Sequence, residues 1–372
     1  VRVLHVRNVH HALTLALKLL EKEGVRRDSR NGPVVMSPVP VTTVYERPRE
    51  RVMFHPWRDA NPFFHFYESL WMLAGRNDVK SLTRYVDRMK SFSDNGQHFN
   101  AAYGFRWRQS RGDLKRVDYD DYSYNPRDQL RDIIARLKSS RDDRRCVLQI
   151  WDHEYDLRAP GDTQTKDSAC NVAATFQVGV DGRLDMSLFC RSNDVIWGAY
   201  GANAVHFSML QEYVASFVGV PVGTLTQISV NWHAYEDVLK STVAKWKDQD
   251  PSRTYHHERY MAQVEPYPLV MNTTMEEWDL ECHHFTDFDG VRPPGGRDQF
   301  DELFFRNVAW PIVAAHDAYR DLQDEERFDY ALEQLSKCEA SDWRIACQDW
   351  LKRRQAKWMR ERDDGVNYEE TT

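Results

Sequence analysis

Cys170 stands in "DSACNVAAT" (167–175), and a lone cysteine is as readily a small core residue as a nucleophile. Its company along the chain suggests chemistry. Arg144 and Arg145 precede one strand-like run, Cys170 precedes a second, and "CRSND" (190–194) closes a third. A guanidinium beside a thiol favours the thiolate, and Arg191 with Ser192 can grip phosphate oxygens through a planar fork and a hydroxyl. Together these residues describe an anion site beside a nucleophilic sulfur.

Composition narrows the setting. The 372 residues are 41% hydrophobic and 12% aromatic, enough for a large core, and no apolar run is long enough for a membrane span. The start, "VRVLHVRNVHHALTLALKLLEKEG", carries charges throughout and does not read as a cleavable signal. The six cysteines form no CxxC pair or disulfide spacing, which fits a reducing cytoplasm. The histidine pairs at 10–11, 256–257 and 283–284 lack partners at ligand spacing, so no metal is expected. The net charge of −7 disfavours nucleic acid as a global partner and makes any anion site local.

These residues need elements to position them. Apolar spacing predicts a helix over 9–23 stopped by Gly24, strands over 34–45 and 51–54, and a helix in "NPFFHFYESLWMLAG" (61–75). Residues 76–100 read as irregular. A helix follows over 127–140, then a strand in "RRCVLQIWD", then strands at 172–180 and 184–190 joined by the Asp181–Gly182 turn. A long apolar helix is predicted over 203–219 and strand-like pieces over 264–290, and "RPPGG" (292–296) is the best linker. Residues 298–362 carry only helical patterns, and the end of the chain is polar.

Seven segments carry a resemblance: "EGVRRDSRNG", "ESLWMLAGRND", "AAYGFRWR", "DRRCVLQIWD", "SACN", "CRSNDVIWGAYGAN" and "SVNWHAYED". In this order, from about residue 9 to 290, they resemble the thymidylate synthase family, which includes the deoxynucleotide hydroxymethylases. The resemblance implies an α+β fold: a large mixed sheet with packed helices, dimeric across the sheet. Here that fold would be a catalytic domain at 1–291, followed by a helical extension at 297–362 and a polar tail at 363–372. It implies that Cys170 adds to C6 of a pyrimidine deoxynucleoside monophosphate and that 5,10-methylenetetrahydrofolate supplies the carbon. Glu68 would organise proton transfers and Tyr103 would help remove the C5 proton. Arg30, Arg191 and Ser192 would hold the phosphate, with Arg144 and Arg145 reaching across a homodimer. Asp194 would bind the pterin, and His233 and Tyr235 the sugar 3′-hydroxyl.

The chain also departs from the synthases. Ala169 and Asn171 flank Cys170 in place of Pro and His. No Trp occurs from 72 to 106, where synthases carry the tryptophans that cover the folate; Met89 and Phe92 are the nearest alignable residues. The chain ends in "VNYEETT" rather than an apolar tail that closes over the folate. The last two departures favour water over hydride at the new carbon, hence a hydroxymethylase, with a true synthase as the alternative, and the resemblance to phage hydroxymethylases implies a viral source. In the synthases an Asn at the end of this segment reads uracil, and "GAYGAN" is one residue longer, so the resemblance makes the reader Asn203 if the insertion lies in the loop and Ala202 if it does not. Asn203 suits uracil without excluding cytosine, and His206 is close enough in sequence to reach the base as well. A rival of another class is a silent homologue that recruits a replication or nucleotide-metabolism partner through the C-terminal helices. Trp310, Trp343, Trp350 and Trp358 separate the two: buried for packing, exposed for recruitment.

Overall fold

The computed structural model describes residues 1–109, 127–157, 165–248, 259–262, 264–287 and 296–363. Eight strands form one mixed sheet: β1 (Arg2–Val6), β2 (Val25–Arg27), β3 (Val34–Met36), β4 (Val41–Tyr45), β5 (Val147–Gln149), β6 (Asn171–Val178), β7 (Leu184–Asp194) and β8 (Val222–Tyr235). The order is β1-β4-β8-β7-β6-β5, with the β2–β3 hairpin attached to β8 through β3. β7 and β8 run parallel, so Ser192 lies opposite Asn231 and Asp194 opposite His233. β6 runs antiparallel to β7 after a tight turn at Gly182, whose φ of 77° suits glycine.

Alternation decides the two faces. Leu148, Ala174, Leu188, Gln227 and Thr43 are buried under helices. Val3, Ile228, Phe189 and Gln149 form the opposite face, where Phe189 is 41% and Val3 48% exposed. The Asn203–Val218 helix is buried at every position but Ser216 and ends at Gly219 in the left-handed region. The Pro62–Leu73 helix, capped by Asn61, is buried at every position but Phe64.

That second helix is enclosed because the C-terminal helices cover it. Residues Trp310–Asp321, Glu326–Ser336 and Ser341–Asp363 form three helices. Trp343 packs edge-on to Phe66 at 5.0 Å and Trp350 to Phe63 at 5.5 Å. Trp343 and Trp350 are buried and Trp310 and Trp358 half-buried, so these tryptophans pack within the fold. Arg51 and Glu212, both buried and ion-paired, lie under this layer, and Tyr260 binds both Val52 N (3.1 Å) and Asp342 (3.2 Å).

Several expectations need correction. Residues 51–54 pair with no strand, since the next turn diverts the chain toward the Pro62–Leu73 helix. The 34–45 run divides into β3 and β4, which pair with different parts of β8. No strand forms over 264–287; Thr274 opens a helix at Met275–Thr286 with a reciprocal capping box to Glu277. The proposed linker at 292–296 lies outside the described residues except Gly296, and the polar tail from 364 lies outside them entirely. Among the described residues no helix is long and apolar enough to cross a membrane.

Candidate active site

The mixed sheet gathers the candidate residues because the C-terminal ends of β7 and β8 lie side by side and β6 begins beside them. Cys170 is the residue before β6, just ahead of a register shift between Asn171 and Ala173. It is half-buried, whereas the other five cysteines are buried. Its backbone N–H donates to the Tyr103 hydroxyl (3.3 Å), and its carbonyl accepts from Arg191 N (3.0 Å). The approach to β6 is pinned: Asp156 accepts from Ala169 N (3.1 Å) and pairs with buried Arg106, and Asp167 accepts from Ala101 N (2.9 Å). The Arg191 guanidinium lies over Trp151 and donates to the carbonyls of Ala169 (2.8 Å) and Ser168 (3.4 Å).

This geometry corrects the electrostatic expectation for the sulfur. Burial pushes the Cys170 thiol up, Arg191 pulls it back only in part, and Asp156 and Asp194 add to the rise. Burial likewise holds Tyr103 above the usual phenol range, so its hydroxyl keeps its proton.

Glu68 sits mid-helix, buried, with Oε2 at 3.0 Å from His206 Nε2. Neither atom makes an aligned hydrogen bond, so both retain capacity for another partner. Beside them runs a one-way chain of side-chain hydrogen bonds. Cys190 Sγ donates to Asn171 (2.9 Å), Asn171 to Asn203 (3.3 Å), Asn203 to Asn193 (3.1 Å) and Asn193 to Ser229 (3.0 Å). Burial keeps Cys190 protonated and therefore a donor. The chain orients Asn203 with Oδ1 toward Asn171 and Nδ2 toward Asn193, leaving one lone pair and one N–H unused. The backbone is non-helical at Tyr200 and Gly201, and Asn203 opens the following helix.

Asp194 ends β7 and caps the next turn, its Oδ1 accepting from the backbone N–H groups of Ile196 (2.9 Å) and Trp197. Its Oδ2 is buried without a partner, and burial pushes the carboxyl up. An acceptor in that state fits a ring N–H donor, so the residues present fit a folate pterin. Arg58, buried, donates to Ile196 O (3.1 Å) and lies over the exposed Trp197 ring at 4.9 Å. Burial lowers Arg58 to about 10, which leaves it charged at neutral pH. His65, in contrast, is held neutral by burial and by Arg58 and His206.

His233 and Tyr235 stack edge-on at 5.7 Å at the end of β8, and Asn31 Nδ2 reaches the Tyr235 hydroxyl at 3.5 Å. Arg30 is exposed at the tip of that same turn. Arg144 and Arg145 do not join the group. They precede β5, whose register sets Val147 against Thr175, so Arg145 falls about seven residues, roughly 20 Å, along β6 from Cys170. Arg145 is held by Asp143 at 2.8 Å and Arg144 is exposed. Met89 is half-buried and Phe92 exposed on a short helix at Asp87–Phe92. Arg58 carries no sequence signal, because no spacing ties "HPWRDANP" to Ile196 and Trp197 about 140 positions away, whereas Asn193 and Trp197 stand in "CRSNDVIWGAYGAN" without a role that the segment alone reveals. Among the described residues no group of three or more His, Cys, Asp or Glu is placed to hold a metal.

A sheet of this topology with a cysteine at the start of β6 and an arginine–serine pair on β7 defines the class: the chain belongs to the thymidylate synthase family, whose model matches residues 15–270. Within it, the chain is 50% identical over 378 aligned residues to the deoxyuridylate hydroxymethyltransferase of Pseudomonas phage M6, covering 99% of this chain and all of that one. It is 41% identical over 198 residues to the deoxyuridylate hydroxymethyltransferase of Bacillus phage SP01, covering 53% of this chain and 50% of that one. A putative thymidylate synthase of Methanosarcina barkeri is 29% identical over 181 residues, 49% of this chain and 69% of its own length.

Proposed function

We propose that this chain is a deoxyuridylate hydroxymethyltransferase, converting dUMP, a one-carbon unit and water into 5-hydroxymethyl-dUMP. The observation that carries the reading is the full-length likeness to a relative of that name, around a half-buried Cys170 that faces Arg191 and Tyr103. When bound, 5,10-methylenetetrahydrofolate supplies the electrophilic carbon and leaves as tetrahydrofolate; Asp194 Oδ2 would hold its pterin.

Arg191, Ser192 and Arg30 bind the 5′-phosphate, and His233 and Tyr235 take the 3′-hydroxyl. Asn203 reads uracil, its free lone pair accepting the N3 proton and its free N–H donating to O4. Cys170 adds to C6 as its proton leaves, and the electron pair of the C5–C6 double bond passes to C5, which forms the new carbon–carbon bond. Tyr103 accepts from Cys170 N and keeps its own proton to hold the water that takes the C5 hydrogen. Glu68 and His206 stabilise and relay charge at the base. Water then adds to the exocyclic carbon, giving up one proton, and the returning electron pair expels Cys170 from C6. The absence of Trp from 72 to 106 supports water over hydride.

The open sheet face, with Val3 and Phe189 exposed and Ile228 half-buried, supports a homodimer across that face. Arg144 and Arg145 then act in the partner's site, which agrees with their distance from Cys170 in their own chain. The protein works in the cytoplasm of an infected host, where its six unpaired cysteines stay reduced. The domains are a catalytic body over 1–291, a helical extension over 297–362 that packs upon it, and a polar tail over 363–372. The test is incubation with methylenetetrahydrofolate and dUMP, dCMP or CMP in turn. The expected product gains one CH2O unit on dUMP with no dihydrofolate. Stoichiometric dihydrofolate would make it a synthase, and turnover of dCMP alone would reassign the base.

A further inference from the structure

The C-terminal Ser341–Asp363 helix reaches the functional site by a short, continuous route. Arg353 Nε donates to one oxygen of Asp59 (3.0 Å) and Arg354 Nη2 to the other (2.9 Å), so consecutive residues of one helix grip both sides of a single carboxylate. Asp59 has a φ of 45°, one of three non-glycine residues with positive φ among the described residues. Aspartate tolerates that conformation better than most, and the two-armed grip holds the turn there. The next residue back is Arg58, which donates to Ile196 O and covers Trp197. Ile196 and Trp197 in turn donate their N–H groups to Asp194, whose other oxygen is the buried, unpartnered acceptor. The fit is close on the far side as well: a side chain at Gly201 would meet the Arg58 guanidinium at 3.2 Å.

We propose that Arg353 and Arg354 are positioning residues for the folate side of the site: through Asp59 they hold Arg58, and Arg58 holds the 194–197 turn in its binding-competent form. The extension then supports the folate side of the site as well as covering the Pro62–Leu73 helix. The partly exposed ion pairs contribute little to global stability, so their effect falls on the placement of the turn. The claim rests on the folate reading of Asp194.

The experiment uses the full chain with Arg353→Gln and Arg354→Gln combined, the Lys pair at the same positions, and Tyr267→Phe. The last removes a different tie to the extension, the Tyr267–Glu339 hydrogen bond at 2.9 Å. The expected result is a roughly two- to thirtyfold rise in KM for methylenetetrahydrofolate in the Gln pair, with KM for dUMP and kcat nearly unchanged. Amide exchange at Ile196 and Trp197 should quicken, and the Lys pair should recover most of both effects. An unchanged folate KM and unchanged exchange would overturn the proposal, as would an equal rise in Tyr267→Phe. If the wild type consumed no methylenetetrahydrofolate, the functional reading would fall, and the exchange measurement would still decide whether the clamp holds the turn.

Discussion

Asn203→Asp tests the base-reading role at the level of single hydrogen bonds. Asn203 Nδ2 carries two hydrogens: one goes to Asn193 Oδ1 at 3.1 Å and the other is free for uracil O4. An ionised carboxylate in its place would be buried and would face the acceptor oxygen of Asn193, so the new carboxyl takes up a proton. A protonated carboxyl has only one O–H, which can serve Asn193 or the base but not both. Uracil O4 thus loses its donor, a loss of about 1–3 kcal/mol or roughly five- to 150-fold in kcat/KM. Cytosine presents an amino donor at that position, which the hydroxyl oxygen in place of Nδ2 can accept while its O–H serves Asn193, so the loss for dCMP is smaller or reversed. The assay is kcat/KM for both nucleotides in wild type and variant, with the circular dichroism melt as a check on folding. A variant that turns over dUMP at the wild-type rate, with the dUMP to dCMP ratio unmoved, would refute the assignment of Asn203 and return attention to Ala202.

Shared sites are tested by mixing subunits: a dimer of one Arg144→Ala, Arg145→Ala chain with one Cys170→Ser chain should regain a single working site, and a mixture as inactive as its parents would exclude arginines acting in trans. Placing Trp at Phe92, which is 42% exposed, should shift part of the product from hydroxymethyl to methyl with dihydrofolate appearing, because a flat apolar wall excludes the attacking water; product mass reads the shift. Burial raises the Asp342 carboxyl to about 6, although Trp343 N–H and Arg51 oppose the rise. With the folded value above the unfolded one, the associated stability is present below about pH 4 and is lost as pH rises through about 6, a change on the order of 2–3 kcal/mol. Denaturant melts of Asp342→Asn should lack that component; a variant with the same decline between pH 4 and 6 would assign it elsewhere.

Local signals were sufficient for the elements whose burial follows a single period. The Val9–Glu23, Pro62–Leu73 and Asn203–Val218 helices have cap residues and apolar spacing that act within a few residues, and the Asp181–Gly182 turn sets the β6–β7 hairpin for the same reason. The order of the seven segments made the family legible, together with Cys170, Arg191 and Asn203, because those residues lie in or beside the strands that converge. β1 and the long β8 escaped notice, since a strand's partners on a sheet are not encoded in its own alternation. Residues 264–287 read as strand because the capping box of Thr274 and Glu277 was outweighed by scattered β-formers around it.

What the sequence by itself determined is the chemical inventory: the thiol of Cys170, the Arg191–Ser192 pair, a helix carrying the Glu68 carboxylate and the amide of Asn203. Tertiary structure decided their states and company. Burial holds the Cys170 thiol up against Arg191, a chain of amides orients Asn203, and β-sheet register separates Arg145 from Cys170 along β6. Arg353 and Arg354 meet Asp59 across nearly 300 positions of chain. Desolvation and long-range contact depend on the whole packed molecule, and no stretch of residues carries them alone.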